Sequence, residues 1–272
     1  MPVIYPSYPT SVGPFSVLQP LPGNTLSQVG PFVLIHHGTS RVAPGTAHRI
    51  SPHPHRGFSP VTLVFQGEIL HKDSAGHSGE VQAGGAQWLE AGSGVIHSEG
   101  PSAGFSERGG TIEIVQIWIN VPAASKMNAP RYFNFTEKDF PRYHGLSIAA
   151  GQIDALTGPA EVHSPLVVMF GEMNLNQPLN IPVPKDHESL VYVLEGEIAS
   201  GGITCPASHM MVFPAGESPA FSITQSGKMV FLSGKPLQEP VVSYGPFVMN
   251  THTEIHQAIL DFQSGAMGNL DS

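Results

Sequence analysis

The sequence predicts an all-β protein made of two related barrels, with one short helix near its C-terminal end. Three observations lead to this reading. Charged residues fill only 12% of the 272 positions while Gly (30) and Pro (26) are abundant, which suits short strands joined by tight turns. Apolar runs are short, β-branched and bounded by Gly, Pro, Asn or Asp, with little helical periodicity. The two halves of the chain also repeat one another.

In chain order the predicted strands are PFVLIHH (31–37), VTLVFQGEIL (61–70), AQWLEAG (86–92) and TIEIVQIWINVP (111–122), followed by PLVVMFGEMNL (165–175), SLVYVLEGEI (189–198), HMMVFPAG (209–216) and KMVFLSG (228–234). In the fourth, Ile112, Ile114, Gln116 and Trp118 share one face, and Glu113, Val115, Ile117 and Ile119 the other. Both faces are largely apolar, so this is a central strand. AGSG (91–94) reads as a hairpin turn. The charged, aperiodic stretch NFTEKDFPRYHG (134–145) reads as the connection between domains 1–134 and 135–272. Thr251 and Glu254 form a capping box ahead of Ile255, Ala258, Ile259 and Phe262 at helical spacing. They predict an amphipathic helix packed on a sheet, followed by a loose tail, GAMGNLDS.

The repeat pairs LVFQGEI (63–69) with YVLEGEI (192–198) and WLEAGSG (88–94) with VFPAGES (212–218). Gly67 thus matches Gly196, and Gly92 matches Gly216. Carried along the same offsets, His53 and His55 fall on Pro182 and Pro184, and His97 and Glu99 on Phe221 and Ile223. All four polar residues are lost together while the turn glycines stay.

A formal charge of −9 and the lack of Lys/Arg clusters argue against direct nucleic-acid binding. The chain shows no basic-then-apolar leader and no apolar stretch long enough to span a bilayer, so a soluble, cytoplasmic protein without a membrane partner is expected. The single Cys205 cannot form an internal disulfide and reads as a buried, inert thiol.

The candidate chemistry lies in His53, His55, His97 and Glu99. Residues i and i+2 of a strand share a face, so two such pairs on neighbouring strands can aim four ligands at one point. With 14 histidines, chance alone yields roughly one H-x-H and one H-x-E, so either pair alone is weak. Together, and absent from the second copy, they predict a metal site. Three imidazoles and a carboxylate suit iron(II), and also manganese, nickel, copper or cobalt, with positions left open for dioxygen, water or substrate. The other histidines, including His36 and His37, lack this context, and His187 stands three positions past the slot matching His55. Arg56-Gly57 either supports the ligands or turns the chain. No G-x-S-x-G elbow, P-loop or G-x-G-x-x-G opening a helix is present.

The run from HPHRGF through VTLVFQGEILHKDSAGHSGEVQAGGAQWLEAGSGVIHSE closely resembles the N-terminal signature of the pirin family, within the cupin superfamily. VGPFVLIHH upstream and GKPLQEPVVSYGPFVMNTHTEIHQAILDFQSG near the end extend the likeness. The resemblance implies two antiparallel double-stranded β-helix barrels facing each other, with one metal, usually iron, in the N-terminal barrel on His53, His55, His97 and Glu99. It also implies one of two functions. One is a quercetin 2,3-dioxygenase that opens a flavonol ring with dioxygen, with Glu99 as catalytic base. The other is a non-enzymatic iron-dependent redox sensor acting on transcription factors or metabolic enzymes through a protein partner. A purely structural bicupin is a third, less favoured reading. A monomer is expected.

Overall fold

The computed structural model describes residues 1–46, 49–175 and 178–270, most of them in strands. The chain forms two compact units that exchange their ends. Met1–Thr10, Leu18–His37 and Glu137–Leu237 make one; Ser11–Val17, Gly38–Thr136 and the segment from Gln238 onward make the other. Within the long middle of the chain the change of unit falls at Thr136/Glu137. Local pattern marks where a strand is, whereas the barrel that a terminal strand joins is decided by pairing across long sequence separations.

The unit containing Gly38–Thr136 includes a four-stranded sheet in the order Ile50–His55, Val95–Gly100, Glu68–Asp73, Ser78–Gln82. A larger sheet runs Arg131–Phe135, Ala86–Glu90, Phe58–Gln66, Gly110–Asn120 and on through Phe32–Val42. Gly110–Asn120 is therefore central, and Ile112, Glu113, Val115, Ile117 and Ile119 are all buried. Phe58–Gln66 and Glu68–Asp73 meet at Gly67, where φ is +80° and a Cβ would stand 2.6 Å from the Thr111 carbonyl oxygen. Only glycine fits that turn. Val42, Val64, Ile69, Val81, Phe105 and Ile112 close one core of this unit.

The other unit is built on a nine-stranded sheet, with Glu188–Ser200 and Ala220–Gly234 paired along most of their length at its centre. Its Gly196 repeats the Gly67 turn, with φ +84°. Its largest apolar cluster is filled by Leu146, Ile148, Met169, Val191, Val193, Met211, Phe213, Phe231 and their neighbours. Cys205 lies in this core, and burial pushes its thiol up to about 12, a residue for packing rather than reaction.

The helix spans His252–Gln263, and both halves of the Thr251/Glu254 capping box are formed. Ile255 and Ala258 are buried against Ile96, Phe247 and Met249, but Phe262 stays 38% exposed, so the apolar stripe is narrower than its spacing suggested. The tail is not loose where it is described. Met267 is buried in the same cluster, and its carbonyl oxygen accepts a hydrogen bond from Ser74 Oγ at 2.6 Å. Asp271 and Ser272 lie outside the described residues. AGSG makes a turn, with Gly94 N–H donating to Ala91 O, but the strands it joins belong to different sheets. It passes the chain between layers instead of closing a hairpin.

Candidate metal centre

His53 and His55 end the strand Ile50–His55, and His97 and Glu99 stand on Val95–Gly100. The two strands pair antiparallel, with His97 opposite His53. Alternation along the strands then gathers three imidazoles. Ring centroids are 4.3 Å apart for His53–His97, 4.7 Å for His55–His97 and 4.9 Å for His53–His55. One nitrogen of each lies within 4.8 Å of the other two.

The hydrogen bonds of these rings assign their tautomers. A carbonyl oxygen only accepts, so His53 carries its proton on Nδ1, which donates to Ser51 O at 2.9 Å, and His55 on Nδ1, which donates to Pro246 O at 3.3 Å. In both rings the Nε2 lone pair is left bare. The Nε2 atoms of His55 and His97 are fully buried and, among the described residues, have no hydrogen-bond partner. Buried polar atoms are rarely left so, and a bound cation is one thing that satisfies them. Burial, reinforced by the neighbouring imidazoles, also holds both rings well below the ordinary histidine pKa. They are neutral at pH 7, as a metal ligand must be. Three such nitrogens beside a carboxylate fit a divalent transition metal.

Glu99 stands two residues past His97 on the same strand. The pairing of its strand shifts register between His97 and Glu99, a bulge that simple i, i+2 spacing does not foresee. Its carboxylate falls within reach of His97 and His71 as a second group of possible ligands. Oε2 accepts from Gln116 Nε2 at 2.9 Å and Oε1 from Thr62 Oγ1 at 3.4 Å. Trp118 Nε1 donates to Gln116 Oε1 at 3.3 Å, which turns the Gln116 amide so that its NH2 faces Glu99. Gln116 was visible as the one polar residue on an otherwise apolar strand face, but not as a carboxylate holder.

Two family models match the sequence, one described as pirin over residues 15–119 and one as the pirin C-terminal cupin domain over residues 168–268. The chain belongs to the pirin family. Among pirin-family relatives, a Pseudomonas aeruginosa protein provisionally named quercetin 2,3-dioxygenase is 39% identical over 254 residues, 89% of this chain and 88% of that protein. A crystal structure of quercetin 2,3-dioxygenase from Acinetobacter baumannii superposes with a TM-score of 0.91 at 36% identity, covering 99% of this chain and 98% of that one. A bacterial pirin from Escherichia coli, solved in complex with nickel(II), shares the fold at 18% identity and a TM-score of 0.71, over 87% of this chain and 100% of that one.

Within this pirin-family chain no such histidine cluster occurs among the described residues of the other unit, and the slots that match the ligands are not those the linear repeat gave. Pro182 and Pro184 are exposed and lie outside any strand. Pairing register finds the matching slots instead: Leu179 lies opposite Phe221 as His53 lies opposite His97, and Ile181 follows Leu179 as His55 follows His53. Leu179, Ile181, Phe221 and Ile223 are all buried in the apolar core. An offset carried back from Gly196 misses this because the connection before that strand differs in length in the two copies.

Arg56 is buried and reaches Ser93 O at 2.6 Å through Nε and Asp261 at 2.7 Å through Nη1, so it ties the ligand strand to the 91–94 turn and to the C-terminal helix. Gly57, at φ +85°, would put a Cβ 2.2 Å from Val248 O. The pair serves the backbone path after the histidines. His36 bonds Gln19 at 2.8 Å and is lowered by burial to about 4, while His37 bonds Tyr192 at 3.0 Å. His187 bonds Ser233 at 3.1 Å.

Proposed function

We propose that this chain is a metal-dependent dioxygenase of the quercetin 2,3-dioxygenase type, its ion held by His53, His55, His97 and Glu99. The observation that carries the reading is the convergence of three imidazoles, two of them with buried Nε2 atoms that have no hydrogen-bond partner among the described residues. The names of the Pseudomonas and Acinetobacter relatives supply the substrate class. Iron(II) is the preferred ion; manganese, nickel, copper and cobalt share the donor preference. A metal bound there would act as a Lewis acid that brings the deprotonated flavonol hydroxyl and dioxygen side by side.

The protein's own groups do the rest. Glu99 is the base that takes the flavonol hydroxyl proton, on Oε1, whose bond to Thr62 is the longer of the two its carboxylate makes. Gln116 holds the other oxygen and fixes the carboxylate plane. Trp118, half-buried with its ring centroid 5.2 Å from that of His55, offers aromatic surface beside the histidines for a planar ligand, and buried Phe58 backs it at 4.3 Å between centroids.

The test is aerobic turnover of quercetin, followed as loss of flavonol absorbance and uptake of oxygen, after loading with each of the five metals in turn. Turnover is expected with at least one, and Glu99→Gln is expected to lower it about a hundredfold or more. No flavonol loss with any of the five would contradict the proposed substrate.

A further inference from the structure

Behind the histidine cluster, two side chains that the proposed reaction does not use make a continuous path to His97. Asp73 Oδ2 stands 3.0 Å from His71 Nε2, and His71 Nδ1 stands 3.3 Å from His97 Nδ1. All three residues are buried. The Asp73 carboxylate is fixed independently of His71, since its Oδ1 accepts the backbone N–H groups of Ala75 and His77, each at 3.0 Å, and its Oδ2 also meets His77 Nδ1 at 2.9 Å. The His71 ring lies flat on Tyr132, 4.2 Å between centroids and 7° between planes.

Hydrogen-bond chemistry gives this path a direction. An ionised carboxylate only accepts, so His71 must donate from Nε2. With its ring proton on Nε2, His71 presents a bare Nδ1, which accepts from His97 Nδ1–H. His97 is left with its lone pair on Nε2, the buried atom without a partner. His53 and His55 reach the same tautomer through backbone carbonyls, whereas His97 reaches it through side chains.

We propose that Asp73 and His71 are positioning residues that fix the tautomer and ring plane of His97, aiming its Nε2 at the ion. This rests on reading the histidine cluster as a metal centre, yet the tautomer can be measured without metal. Metal-ligating histidines generally need an acceptor for their other ring nitrogen, and losing it costs about 10–100-fold in metal affinity.

Asp73→Asn keeps Oδ1 for the loop and replaces the acceptor by an amide that can donate to His71. Long-range proton–nitrogen NMR of the metal-free protein at neutral pH is expected to show His97 protonated on Nδ1 in the parent and shifted toward Nε2 in the variant. Nickel(II) titration against a competing chelator is expected to show affinity weakened about 10–100-fold. A His97 tautomer unchanged in Asp73→Asn would overturn the proposal. His71→Phe, which can keep the stack on Tyr132, is expected to weaken nickel(II) to the same degree. Loss of nickel as complete as in His97→Ala would make His71 a ligand and overturn its positioning role. A tautomer that shifts as expected in a protein that binds no nickel leaves the positioning pair standing and removes the metal-centre reading instead.

Discussion

His97→Ala is expected to lower the metal bound per chain by about tenfold or more, because a ligand nitrogen lost outright costs at least as much as the loss of its hydrogen-bond partner. His97 is the member shared by both groups of possible ligands, with the three-histidine cluster on one side and His71 and Glu99 on the other. Whichever group holds the ion, its removal breaks the site. The fold should tolerate the change better than the site does, since among the described residues His97 Nε2 has no hydrogen-bond partner and only its Nδ1 meets a side chain, His71. Metal analysis of the purified variant, with circular dichroism to verify the β signal, checks both halves of the expectation. Metal content equal to the parent's would contradict it.

Lys126→Met is expected to cost about 3–5 kcal/mol of stability, since each buried acceptor left without a donor costs about 1–3 kcal/mol. The ammonium is buried and donates to Gly57 O at 2.7 Å, Asn120 Oδ1 at 2.5 Å and Val248 O at 2.9 Å. Burial lowers it to about 8, so at neutral pH it remains mostly protonated. Methionine fills similar space but donates nothing, leaving three buried acceptors unpaired. Two of them flank the site, Gly57 two residues after His55 and Val248 two residues after Pro246, whose carbonyl orients His55. A fall in melting temperature of roughly 10 °C is expected for a chain of this size, measured by thermal unfolding. A variant melting within about 2 °C of the parent would show that water replaces the lost donor.

Lysine 126 also shows where sequence reading stops. It carries no motif, and its three acceptors come from residues far apart in the chain. Strands, turns and the capped helix were legible because they obey local periodicity and because Gly67 and Gly196 need the same left-handed turn. His53, His55 and His97 were legible because strand alternation and a second copy without them separate what the barrel requires from what a ligand requires. The bulge at Glu99 was not, since it arises from pairing rather than from spacing. His71 and Asp73, in the HKD run at 71–73, carry the same i, i+2 signature as His53 and His55. The exchange of the chain ends between units leaves no periodic trace at all.

One ion is expected among the histidines of the Gly38–Thr136 unit, and none in the other. Anomalous-difference diffraction from crystals of the protein loaded with nickel(II) or iron(II) tests this most directly. The expected result is a single peak within bonding distance, about 2.0–2.2 Å, of the Nε2 atoms of His53, His55 and His97 and of a Glu99 oxygen. A peak elsewhere, or none at full metal occupancy of the solution, would contradict it.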